Sequence, residues 1–117
     1  MSKGVHLIVD CHNVPRSTLI DSDQMLENLV EVLTQCGFTV VHQFAESRQY
    51  VQGYVAAIVL DESHVTCHTR ADDGTMAMDI FTCGDNHPRP VLDGLMKLMN
   101  IGTIATREVE RLQGAIP

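Results

Sequence analysis

Val65-Thr66-Cys67-His68-Thr69-Arg70-Ala71-Asp72-Asp73-Gly74-Thr75-Met76-Ala77-Met78-Asp79-Ile80-Phe81 contains two strand-like runs around a turn. The runs Val65 to Arg70 and Met76 to Phe81 flank Ala71-Asp72-Asp73-Gly74, whose Asp-Gly pair accepts the positive φ angles of a tight hairpin. An antiparallel strand pair is therefore the seed of the fold. Met76, Met78 and Ile80 alternate with Ala77, Asp79 and Phe81, so both faces of the second strand carry apolar groups.

Working outward, Tyr54 to Leu60 reads as the preceding strand, after a polar stretch from Glu46 to Gly53. Phe38 to Phe44 reads as another strand. Before it, Asp21 and Ser22 offer helix caps, and Met25, Leu26, Leu29, Val30, Leu33 and Cys36 recur at helical spacing up to Gly37. Val5 to Asp10 is a β-branched first strand closed by a polar turn with Asn13 and Pro15. On the other side Pro90 suits a first helical turn. Val91, Leu92, Leu95, Met96, Leu98 and Met99 then form an apolar stripe, with Met96 and Met99 read as core packing, and Thr103 to Val109 is the last strand.

The order strand, helix, four strands, helix, strand predicts an α+β fold, a mainly antiparallel sheet with two helices on one face. This is a two-layer αβ sandwich. One helical layer cannot cover both faces of a sheet, so dimerisation through the sheets or their edges is expected.

The 117 residues fit one domain, and a composition of 44% hydrophobic and 20% charged residues is that of a folded core. Eight Lys+Arg against fifteen Asp+Glu leave a net charge of −7, opposite to the footprint of a phosphate-binding surface. No nucleic-acid or membrane partner is expected. The apolar run after Lys3 ends at Asp10, too short for a signal core or a membrane span, and the chain reads as cytoplasmic. Cys11, Cys36, Cys67 and Cys83 are then free thiols.

Asp61-Glu62-Ser63-His64-Val65-Thr66-Cys67-His68-Thr69, followed by Phe81-Thr82-Cys83-Gly84-Asp85, carries the chemistry. It resembles the bacterial S-adenosylmethionine decarboxylases, whose core reads E-S-H-[apolar]-[ST]-x-H-T-W-P-E and then F-T-C-G. Glu62, Ser63, His64, Thr66, His68, Thr69, Phe81, Thr82, Cys83 and Gly84 match it, as do Gly4, His6, Leu7 and Asp10 in the opening G-x-H-L-x-x-D.

The resemblance implies a self-processing proenzyme with a covalent pyruvoyl group made from Ser63, needing no external cofactor or metal. Cleavage between Glu62 and Ser63 would give a β chain of residues 1–62 and an α chain of residues 63–117. By the same resemblance His68 is the processing base, a role suited to a group titrating near neutrality. Cys83 is the proton donor in turnover. The pyruvoyl keto group would take the substrate amine as a Schiff base and act as electron sink for loss of carbon dioxide. Asp10 matches an acidic residue near the family's active site, with a solvated strand end as the plain alternative. A zinc set of His64, His68, Cys83 and His87 has tolerable spacing, but nothing else asks for a metal.

The chain departs from the family in three places. Gly53 is followed by Tyr54-Val55-Ala56 where the family reads V-S-G, so Val55 replaces a serine that helps processing. Gln49 and Arg70 occupy the positions of the two rings that hold adenine. Tyr50 or Phe44 is near enough to replace one ring, and the Arg70 guanidinium can stack. Asp72 stands where a family glutamate grips the ribose.

Decarboxylation of S-adenosylmethionine to the aminopropyl donor for spermidine is the leading expectation, in a homodimer or a dimer of cleaved αβ protomers. A pyruvoyl-dependent ornithine or arginine decarboxylase, with Glu46, Asp72 and Asp73 facing the substrate cation, is the second reading. An uncleaved, non-catalytic homologue serving as a regulatory or binding subunit is the third.

Overall fold

The computed structural model of the chain describes residues 4–112. Along the chain run β1 (Gly4–His12), α1 (Arg16–Ile20), α2 (Ser22–Gln35), β2 (Val40–Ser47), β3 (Tyr54–Leu60), β4 (His64–Arg70), β5 (Thr75–Cys83), α3 (Arg89–Leu98) and β6 (Thr103–Arg111). The six strands form one sheet in the order β2-β3-β4-β5-β1-β6, and every neighbouring pair is antiparallel.

Period-two alternation decides which side chains turn inward. In β1, Leu7, Val9 and Cys11 are buried while Ile8, Asp10 and His12 are exposed. Ala56, Ile58, Val65, Cys67, Met76, Met78 and Ile80 continue the buried face across β3, β4 and β5. The helices meet it with Leu19, Met25, Leu29, Leu33, Val91, Leu92 and Leu95, all in the same apolar cluster. Each such fully buried aliphatic side chain contributes about 1.5–3 kcal/mol relative to exposure.

The capping expected from the sequence is present. The Asp21 carboxylate accepts the Gln24 backbone N–H at 3.0 Å, and α2 ends at Gly37, φ +90, where the Phe38 N–H returns to the Leu33 carbonyl at 2.9 Å.

Three details depart from the sequence reading. A third helix, α1, follows Pro15, whose carbonyl accepts the Thr18 and Leu19 N–H groups. Five residues make under two turns and only Leu19 is buried, so no helical period was there to read. β2 starts later and runs further than Phe38 to Phe44, because it is an edge strand and polar Glu46 and Ser47 are tolerated there. Met96 is 46% exposed and is not core packing, while Met99 does pack against the core.

The helices leave the opposite sheet face open. Ile8, Phe44, Val59 and Val109 stand on it, each at least 36% exposed, and among the described residues no second layer covers them.

Candidate active site

The two motifs of the sequence meet because β4 and β5 are adjacent and antiparallel. His64 lies opposite Phe81, so Ser63 and Cys83, both just beyond that pair, come together at one end of the sheet. Asp61 and Glu62 form the loop between β3 and β4, tied by the Leu60 N–H to the Ser63 carbonyl at 2.8 Å. Ser63 is buried, with only 8% exposed. Its Oγ accepts the Cys83 backbone N–H at 3.2 Å. Glu62 is exposed beside it, and Cys83 is half-buried at the end of β5.

Phe38, Thr39, Glu62, Ser63, Cys83 and Asn86 line a small cavity of about 100 Å³. Ligand pockets for drug-sized molecules run to roughly 300–1,000 Å³, so this hollow admits a reacting end and not a nucleoside. The contribution of the α2–β2 loop, through Phe38 and Thr39, had no signal in the sequence. Thr82 is there no more than a motif match. Its buried hydroxyl donates to the Asn86 carbonyl at 2.6 Å and closes the turn after Cys83.

His68 is elsewhere. It sits four residues beyond His64 on β4, about 13 Å along the strand, and points from the open sheet face. There it lies opposite Val55 on β3 and Ala77 on β5, and Ala77 in turn faces Asp10 on β1. His68 and Asp10 thus flank a small residue on one exposed surface.

The remaining predicted residues gather at this second end. The segment before β3 is held to the end of β4 by the Ala71 N–H on the Gln52 carbonyl at 2.8 Å and by Arg48 Nη1 on the Thr69 carbonyl at 3.0 Å. Gln49 and Tyr50 are exposed in that segment, Tyr50 at 89%. Arg70 ends β4 with its guanidinium on Asp73 at 2.7 Å, and Asp72 lies exposed in the intervening turn. The structure therefore brings Ser63, Glu62 and Cys83 together, and separately His68, Asp10, Arg70, Asp72, Gln49 and Tyr50.

The four-residue zinc set is not assembled. His68 is a strand length from Cys83, and His87 faces Glu108 at 3.3 Å. A different trio, His6, His64 and Asp79, does converge, with ligating atoms within 4.8 Å of one another. His6 Nε2 lies 3.2 Å from the Asp79 carboxylate, whose other oxygen accepts the Thr66 hydroxyl at 2.5 Å. Arg111 approaches His6 Nδ1 at 3.5 Å, and the buried His6 Nε2 makes no hydrogen bond among the described residues. That arrangement is a polar network beside the Phe81 ring, against which both imidazoles pack.

Cys11 and Cys67 are buried thiols. Burial, with the Asp10 charge adding to it, pushes Cys11 up to about 11, and burial pushes Cys67 up to about 12.

Residues 5–112 match the family model described as S-adenosylmethionine decarboxylase. A relative from Acidithiobacillus ferrooxidans, an S-adenosylmethionine decarboxylase proenzyme, is 32% identical over 96% of this chain and 84% of its own length. Another of that name, from Symbiobacterium thermophilum, is 33% identical over 97% of this chain and 86% of its own. The crystal structure of the adenosylmethionine decarboxylase from Aquifex aeolicus shares the fold, with a TM-score of 0.83 at 20% identity over 99% of this chain and 94% of that one.

Proposed function

This chain belongs to the S-adenosylmethionine decarboxylase family, and from that premise we propose that it is a self-processing, pyruvoyl-dependent decarboxylase of S-adenosylmethionine. The observation that carries the reading is the contact between Ser63 Oγ and the Cys83 backbone N–H. It puts the residue to be converted and the proposed proton donor of turnover in one small, half-closed cavity.

Processing begins with Ser63 Oγ adding to the Glu62 carbonyl carbon, which exchanges the peptide bond for an ester. A base then removes the Ser63 α-proton and the ester oxygen leaves, so that Glu62 becomes a new C-terminus. The pyruvoyl group formed at Ser63 supplies the electron sink for loss of carbon dioxide. Cys83, beside it, holds the proton that completes turnover, and the product is the aminopropyl donor for spermidine.

His68 in the same chain is too far along β4 to reach Ser63. The open sheet face, apolar at Ile8, Phe44, Val59 and Val109, supports a face-to-face pair of chains. A two-fold partner would set the His68 end of one sheet against the Ser63 end of the other. It would also enlarge a cavity that is too small for a nucleoside in one chain. Asp10, Gln49, Tyr50, Arg70 and Asp72 share the His68 end and would contact the substrate there.

The test is a denaturing mass measurement on purified protein, followed by carbon dioxide release from S-adenosylmethionine. Chains of 62 and 55 residues are expected, the second blocked at its N-terminus, and Ser63→Ala should remain one chain. A wild-type chain that stays intact after prolonged incubation overturns the reading.

A further inference from the structure

On the footing of that processing chemistry, we propose that Thr82 is a positioning residue for self-cleavage, its hydroxyl fixing the turn that holds the Cys83 main-chain N–H on the Ser63 oxygen. Thr82 is fully buried and lies opposite Val5 on β1. Its hydroxyl donates to the carbonyl of Asn86, four residues on, at 2.6 Å. This bond spans Cys83, Gly84 and Asp85. Gly84, at φ +70, makes the reversal in a conformation that a residue with a Cβ enters reluctantly. The hydroxyl and the glycine together set where the turn leaves β5, and so where the Cys83 N–H points.

That N–H donates to the one oxygen on which processing depends. In the first step Ser63 Oγ bonds to the Glu62 carbonyl carbon, the Glu62–Ser63 C–N bond breaks, and the hydroxyl proton passes to the freed Ser63 amine. In the second, a base takes the Ser63 α-proton and the Cβ–Oγ bond breaks. Its electron pair leaves on Oγ, which is now an oxygen of the Glu62 carboxylate. The remaining dehydroalanine tautomerises to an imine, and water hydrolyses it to the keto group with release of ammonia. Negative charge therefore grows on Oγ in the second step, and a donor already aimed there stabilises the transition state more than the ground state. Cys83 would then act twice, through its main chain in processing and through its thiol in turnover.

The experiment synthesises the full chain in a cell-free system and follows the appearance of the two products by mass. Hydroxylamine is added to parallel samples to cleave any accumulated ester, which leaves an α chain beginning with unconverted Ser63. Outright loss of such a donor typically costs about 10²–10³ in rate, so loosening one should slow Thr82→Val about tenfold. The ester should build up in that variant, and Thr82→Ser should restore the wild-type rate. If Thr82→Val does not fold, Thr82→Ala is compared with Thr82→Ser in its place. Processing at the wild-type rate in the folded Val or Ala variant overturns the proposal. So does slow processing without ester, or slow processing that Thr82→Ser fails to rescue, since either marks a merely structural role. A wild-type chain that never cleaves overturns the parent reading and this one with it, whereas wild-type cleavage with an indifferent Thr82 overturns this one alone.

Discussion

Val55 and His68 are direct cross-strand partners on β3 and β4, on the open face of the sheet. The residue that stands where the sequence resemblance expects a processing serine is thus beside the proposed base, and in this chain it is apolar. Val55 offers the His68 ring no hydroxyl to orient it.

Val55→Ser should therefore speed processing. One added hydrogen bond is worth about 1 kcal/mol, or roughly a fivefold rate change if it is made in the transition state. The rate of conversion in cell-free synthesis measures it, and an unchanged rate would show that the hydroxyl is dispensable here.

The separation of His68 from Ser63 along β4 leads to a complementation test. His68→Ala alone should stall as the ester, and Ser63→Ala alone should stay one chain. Co-expressed, the two should form mixed pairs in which the intact His68 of one chain processes the intact Ser63 of the other. Absence of the 55-residue chain from the mixture would place the base within the same chain or elsewhere.

Cys83→Ala retains the main-chain N–H on Ser63 Oγ, and so should still process. It should lose about 10²–10⁴ in decarboxylation rate, the usual contribution of a positioned proton donor. A rising fraction of α chains with N-terminal alanine, seen by mass, would mark protons delivered to the wrong carbon. Full activity in Cys83→Ala would assign the donor to another group.

At the second end of the sheet, Arg70, which we propose takes the place of an adenine-stacking ring, has its guanidinium engaged by Asp73. Base stacking on a ring is worth about 1–3 kcal/mol, so Arg70→Trp should lower the KM for S-adenosylmethionine by about tenfold with little effect on kcat. A KM that does not move would show that the base is held elsewhere.

Alkaline stability follows from the buried thiols. Cys11 and Cys67 keep their protons in the folded chain up to about 11 and about 12, while an unfolded thiol loses its own near 9.0. Burial, with the Cys67 and Asp21 charges adding to it, raises the Tyr54 hydroxyl in the same direction. Above about pH 9 the unfolded chain binds fewer protons than the folded one. Stability is then lost as pH rises, by about 1.4 kcal/mol per pH unit for each thiol still protonated in the fold. Urea midpoints that do not decline between about pH 8 and 10.5 would contradict this.

The sequence by itself determined the order of the six strands and the two longer helices, the Asp73-Gly74 hairpin, the Asp21 cap and the motif residues. These rest on contacts between near neighbours: a strand period of two, a helix period of 3.6 and a turn that needs glycine are all local. Short α1 and the ragged ends of edge strand β2 lay below that signal, and Met96 fits the helical stripe but faces solvent. Only the tertiary structure decided which motif residues share a place. Ser63 and His68 are five apart in the chain and look like one site, yet a strand advances about 3.3 Å per residue and carries them to opposite ends of the sheet. Ser63 and Cys83 are twenty apart and meet, because β4 and β5 fold back on each other in register. The turn that aims the Cys83 N–H depends on a bond from Thr82 to Asn86, made by a buried hydroxyl whose partner no periodicity reveals. Pairing across a sheet is set by burial and register over the whole chain, and that is why the halves of the site could be named from the sequence but not placed.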